Sequence, residues 1–259
     1  NEYSEGDMND GYILNGTAAA RTGLYASYPK FKARFGTSIS FRNGIWNGAR
    51  YEKRLKIINM PVLKSHSVCA VTASLKNYMG VQSERLSGGL GNGHDTVGLG
   101  GMGSLMVETG LPLLNILDAI WINPHPLGGP STSYALARRV NVVMASTDPV
   151  ALDYWAAKHV LMQAASLIGY TDTWALDPDK PTFGVWLNRA KTEIIAGGYN
   201  VTTDENRMNA YVYQLNSFVS IGSSPSGVRF TVNGANRVTP WSESYDAGTP
   251  LDIVMPETY

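Results

Sequence analysis

The chain has 259 residues, 44% of them hydrophobic and only 16% charged, and its 21 Lys+Arg balance its 21 Asp+Glu for a formal net charge of zero. That length suits one large domain, or a domain with a small module, and the neutral balance excludes the basic footprint of a nucleic-acid-binding protein and a long disordered tail. No apolar run approaches the roughly 18–20 residues of a membrane span, and Cys69, the single cysteine, excludes an internal disulfide, zinc cluster or iron–sulfur cluster.

The first residue is Asn1 rather than Met, as expected of a processed or partial chain. Two tripeptides, Asn15-Gly16-Thr17 and Asn200-Val201-Thr202, fit the glycosylation pattern. With abundant Tyr, Asn, Ser, Thr and Gly, they point to an exported protein, periplasmic or extracellular. Residues 1–50 are turn-rich and aromatic, with Asn-Gly steps at Asn15, Asn43 and Asn47.

The apolar run from Leu55 to Leu63 reads as a buried strand that ends near Pro61. A helix is expected next, capped by Ser65 or Ser67, with Val68, Val71, Leu75 and Met79 as its apolar stripe and Gly80 at its end. Residues 87–103 read as a long glycine-rich loop, too long for an ordinary connection. Leu113–Ile122 and Val140–Ala145 read as two further strands. Asp148 and Pro149 then open a helix as its cap and first residue. Helices are also expected at Phe183–Ala196 and Asp204–Asn216. Beyond them, Phe218–Ile221, Val228–Val232 and Leu251–Val254 alternate like strands. The expected fold is therefore α/β: a mostly parallel sheet flanked by helices over residues 1–216, with a small C-terminal β module or β extension over 217–259.

Ligands in open α/β sheets bind beyond the carboxyl ends of the strands. The first strand delivers Lys64 and His66, the second Asp118, Asn123 and His125, and the third Thr147 and Asp148. If neighbouring strands are parallel, these groups share one cleft. Lys64 beside a helix N-terminus attracts a carboxylate or phosphate. Lys76 lies near the apolar stripe, four residues after Thr72, where a half-buried lysine needs a partner or a ligand. His66 is the natural acid or base.

Each group also has a structural alternative: Lys64 solvated, His66 bonded to a loop carbonyl, Lys76 in an ion pair, Thr147 and Asp148 forming a helix cap, Asp153 serving a neighbouring backbone. The glycine-rich loop is a weak phosphate-binding signal, and His94-Asp95 a poor metal signature. His125 and His159 are most simply structural.

Three segments, KIINMPVLKSHSVCAVTASLKNYMG, LNILDAI with a later GGP, and ASTDPVALDYWAAKHVL, carry a resemblance to the domain of unknown function 362 family over roughly residues 54–162. Position by position, the resemblance implies signature status for Lys64, His66, Thr72, Lys76, Asn77, Gly80, Asp118, Thr147, Asp148 and Asp153, with no secure role for any of them. It also implies a setting among exported or redox proteins. Family members usually carry an earlier α/β portion, so this chain is expected to be part of a longer protein or to be completed by a second chain.

Three readings follow. The first is an enzyme acting on an anionic small molecule or cofactor by redox or proton-transfer chemistry. In it, His66, Lys76 and Asp148 are catalytic and Lys64, Thr72, Asn77, Asp118 and Thr147 bind the ligand. Asp148 or Asp118 would orient a lysine or hold a metal of unassigned identity, and Asn77 would donate to an oxyanion. The second is an extracellular structural protein that assembles as a homo-oligomer through edge strands. The third is an anion-binding protein without turnover.

Overall fold

A computed structural model describes residues 11–13, 24–28, 30–83, 90–126, 134–212, 216–246 and 248–256. The tripeptide at 15–17 and the Gly128-Gly129-Pro130 stretch lie outside them. The chain divides into two units, Asn1–Met208 and Asn209–Tyr259.

The first unit begins with short strands. β1 (Gly11–Ile13) pairs antiparallel with β2 (Tyr25–Ser27). β3 (Lys30–Lys32), β4 (Ser38–Ser40), β5 (Gly44–Trp46) and β6 (Tyr51–Glu52) form an antiparallel meander. The main sheet follows, built from β7 (Ile58–Asn59), β8 (Val62–His66), β9 (Ala70–Thr72), β10 (Leu114–Asn123) and β11 (Arg138–Ser146). Its order is β11-β10-β8-β9, with β7 also pairing β10. Pro61 separates β7 from β8, as its missing N–H demands.

The fold is α/β, but the sheet is mixed rather than mostly parallel. β10 runs parallel to β7 and β8, whereas β11 is antiparallel to β10 and β9 antiparallel to β8. The link from β10 to β11 holds Pro124, Pro126, Gly128, Gly129 and Pro130, a composition unlike that of the helical crossovers that usually join parallel strands. This reversal matters for the site: Ser146 stands opposite Asn115, near the start of β10, while Lys64 stands opposite Asn123 at its end.

The helix expected after the first strand is largely replaced by a hairpin. β8 continues through His66, the chain turns, and β9 leads into only one helical turn, α1 (Ser74–Asn77), and a 3-10 turn (Tyr78–Val81). Val68, Val71 and Thr72 are β-branched and suit extended backbone. Val68 is 66% exposed rather than part of an apolar stripe.

The glycine-rich stretch, by contrast, is helical where described: α2 (Leu90–Val97) and α3 (Gly101–Thr109). Its glycines permit close packing. A Cβ on Gly103 would stand 2.3 Å from the Ala190 carbonyl oxygen in α6 (Phe183–Ala196). Between them in sequence lie α4 (Pro149–Ala156), a π-helical turn (Ala157–Leu161) and α5 (Met162–Leu167). Of the helix expected over Asp204–Asn216, residues 204–212 hold a single 3-10 turn, Glu205–Arg207, where the Asp204 carboxylate accepts the Asn206 N–H and favours a local turn; residues 213–215 lie outside the described residues.

The core joins Leu63, Leu117, Ala119 and Ile122 of the sheet to Leu75, Met102, Leu105, Met106, Val150, Leu161 and Leu187. The other sheet face is open: in-register Val62, Asp118 and Val143 are all exposed. In the second unit, β12 (Asn216–Ile221) pairs antiparallel with β15 (Trp241–Asp246). β13 (Arg229–Val232) lies between β14 (Ala235–Val238) and β16 (Ile253–Val254).

α1 is too short to stand alone, and two long-range devices hold it. The wholly buried carboxylate of Asp153 in α4 accepts the Ser74 N–H at 2.7 Å and the Leu75 N–H at 2.9 Å. An amide chain does the rest: Asn77 Nδ2 donates to Asn59 Oδ1 at 2.7 Å, and Asn59 Nδ2 donates to Ser74 O and to Asn115 Oδ1. Asn115 Nδ2 then donates to Ser146 O. Removing the carboxylate strands two buried N–H groups. Asp153→Ala is therefore expected to cost about 2–3 kcal/mol, read as a lower urea midpoint at unchanged m-value. Asp153→Asn, which keeps an acceptor, should lose less; an unchanged midpoint in Asp153→Ala would show that this clamp does not hold the turn.

Candidate functional site

The site grows from the β8–β9 hairpin. Ala70 sits at φ +63°, in the left-handed region that non-glycine residues seldom enter. The tight turn folds the Val68 and Cys69 N–H groups back onto His66 Nδ1, each at 3.1 Å. Trp186 of α6 holds the turn from outside by donating Nε1–H to the Cys69 carbonyl at 2.8 Å. Since Nδ1 accepts both bonds, the neutral imidazole carries its proton on Nε2.

The hairpin ladder places Lys64 opposite Thr72 and His66 opposite Ala70. α1 then brings in Lys76. The His94 ring from α2 lies 5.5 Å from the His66 ring, centroid to centroid. At the far side of β8, Ser65 Oγ donates to the Asn123 carbonyl at 3.0 Å and to the His125 carbonyl, tying the ends of β8 and β10 together.

The electrostatics are one-sided. Lys76 is only 7% exposed, and among the described residues its amine makes one polar contact, with Met79 Sδ at 3.8 Å. A thioether is a weak acceptor and supplies no counter-charge. Lys64 is half-buried and its side chain forms neither a hydrogen bond nor an ion pair among the described residues, where Thr72 Oγ1 is also buried without a partner. Burial, then the charge of Lys64, favours the neutral Lys76 amine, which therefore titrates below the ordinary lysine range. Burial first, then Lys76, His94 and Lys64, push His66 down to about 4. Burial raises the Cys69 thiol, leaving it a poor nucleophile.

The sequence-derived candidates separate into three groups. Lys64, His66, Thr72 and Lys76 come together. Asn77 lies next to Lys76, but its amide is committed to Asn59 rather than directed at a ligand. Asp118, Thr147 and Asp148 are elsewhere. Asp118 is on the open sheet face, where it accepts the Ile120 N–H. Thr147 and Asp148 follow β11, whose antiparallel course carries them to the other end of β10. Asp148 caps α4 by accepting the Val150 and Ala151 N–H groups, and its second oxygen accepts from Thr202 N.

His66 also departs from the expected acid or base: it is neutral at physiological pH, with its basic nitrogen occupied by backbone N–H. His94, in contrast, joins the cluster, although its place in a glycine-rich segment gave little signal. Among the described residues no group of three or more His, Cys, Asp or Glu could hold a metal ion.

Residues 48–158, the central portion of the chain, match the family model described as Domain of unknown function (DUF362). The matched segment includes the hairpin, α1, α2 and the Asp153 clamp. No curated protein and no solved structure matches the chain.

An imidazole surrounded by cations should respond to any anion that enters. In phosphate-free buffer, NMR titration of His66 is expected to give a midpoint about 4. Inorganic phosphate should raise it, because a bound anion favours the imidazolium, and Lys76→Ala should raise it by removing a neighbouring positive charge. A midpoint near the unperturbed value of about 6.5, insensitive to both changes, would contradict this environment.

Proposed function

We propose that this chain binds an anionic small molecule between Lys64 and Lys76, with Thr72 Oγ1 and His66 Nε2–H as neutral donors. The observation that carries the reading is Lys76: a lysine more than nine-tenths buried, with no bonded carboxylate among the described residues and a thioether beside its amine. Burying an unpaired ammonium is costly, and methionine or leucine would fill the same space without that cost. A ligand carrying negative charge removes the penalty and makes the amine a charge-assisted donor. Lys64 strengthens the case, since a second cation without a counter-ion raises the field at the same place. Thr72 adds a buried hydroxyl whose hydrogen-bonding capacity is unmet.

The reading does not require Asp118, Thr147 or Asp148, which the sheet topology holds elsewhere. It is supported by the matched family segment only in that both cover the same residues; the family description names no ligand.

Titration calorimetry with inorganic phosphate tests it. The full chain should bind saturably, and Lys76→Ala should weaken binding about 10- to 100-fold, the equivalent of roughly 1.5–3 kcal/mol for one charge-assisted hydrogen bond. Lys64→Ala should weaken it less, because its side chain is more exposed and better screened. Heat effects that are absent, or unchanged in Lys76→Ala, would reject the proposal.

A further inference from the structure

We infer that the Lys76 amine is a nucleophile that condenses with the carbonyl group of a small oxo-carboxylate held by Lys64. This step rests on the anion-binding reading and adds a reaction to it.

The molecule contains an internal comparison. Lys158, in the π-helical turn, donates to Tyr154 Oη at 2.9 Å, Asp179 Oδ2 at 2.9 Å and Glu205 Oε2 at 3.0 Å. His159 joins the same network through Glu205 Oε1. Such surroundings hold a lysine as ammonium, and its titration is raised accordingly. An ammonium has no lone pair and forms no imine.

Lys76 has the opposite surroundings. It is buried, among the described residues its amine bonds no carboxylate and touches the Met79 thioether alone, and a second lysine stands nearby. Desolvation and a neighbouring cation are the two conditions that make a lysine nucleophilic at neutral pH. Lys76 lies in the last turn of α1, yet among the described residues its amine bonds no carboxylate and no carbonyl.

The neighbours set the class of electrophile. Lys64 supplies a charge for a carboxylate. His66 Nε2–H and Thr72 Oγ1 are neutral hydroxyl- and N–H-type donors suited to an oxygen that gains charge during addition. A carbonyl compound carrying its own carboxylate meets both needs. The Nζ lone pair forms the new N–C bond while the C=O π pair moves onto oxygen. The two amine hydrogens then pass to that oxygen, the C–O bond breaks, and water leaves a C=N double bond. The step is a condensation, so it needs no oxidant, reductant or metal, and hydrolysis reverses it.

Trapping with borohydride tests the inference. Full-length protein is incubated with pyruvate at neutral pH, reduced with sodium borohydride, and mapped by peptide mass spectrometry. A single reduced pyruvate adduct is expected on the peptide holding Lys76. Exposed Lys53, Lys56 and Lys180 should be labelled at least about tenfold less, since they lack the desolvated setting of Lys76. Lys76→Arg should lose the adduct, and the native map locates it even if that variant does not fold.

An absent adduct, or one spread over the exposed lysines, overturns the inference. Phosphate calorimetry on the same preparation separates the two claims: binding without an adduct defeats the nucleophile alone, and loss of both defeats the anion site as well.

Discussion

The carboxylate of Asp153 is the contact on which the site depends. It lies 79 residues from Ser74 in sequence, is fully buried, and spends both oxygens on the first N–H groups of a single helical turn. A turn of four residues lacks the length to persist by itself. Fixed from α4, it presents Lys76 beside the β8–β9 hairpin on a scaffold rather than on a loose loop. Burial pushes this carboxyl up to about 7, against the lowering effect of the two N–H bonds. The clamp is therefore an ionisable one, held at a desolvation cost that a merely convenient cap would not justify. The asparagine chain through Asn77, Asn59 and Asn115 supports the same turn from the sheet side without any charge.

Around that anchor, the chain segregates its charges. Lys158, Asp179 and Glu205 neutralise one another in one place, whereas in another Lys64 and Lys76 form no ion pair among the described residues. In a molecule with no net charge, the asymmetry is local. His66 adds a donor without adding charge: burial first, then the neighbouring cations, favour its neutral form, and two N–H groups occupy its Nδ1. The arrangement suits recognition of negative charge better than proton shuttling, because His66 has no free basic nitrogen with which to accept a proton.

Much of this was legible in the sequence, but unevenly. The apolar runs of β10 and β11 gave those strands within two residues, and Phe183–Ala196 is helical over its expected span. Lys64, His66, Thr72 and Lys76 were recognisable as a group because charged side chains interrupt an apolar stretch at close spacing. The hairpin was not recognisable, since Val68, Val71, Leu75 and Met79 also satisfy a helical period, and the partner that decides the matter, Asp153, acts from a distant element. The convergence of three strand tips failed for a similar reason. Strand direction is settled by a connection rich in proline and glycine, not by the strands themselves, so Asp148 becomes a cap at the opposite end of the sheet. His94 was hidden by its glycine-rich setting, where packing against α3 accompanies helix despite poor intrinsic propensity.

The central claim is that the buried lysine at the β8–β9 hairpin has no counter-charge among the described residues and is completed by an anion. Anomalous diffraction from bromide-soaked crystals tests it most directly. The account predicts a bromide peak within contact distance of Lys76 Nζ, on the side shared with Lys64. Bromide confined to exposed arginines and lysines, or a protein carboxylate found bonded to Lys76 Nζ, would contradict it.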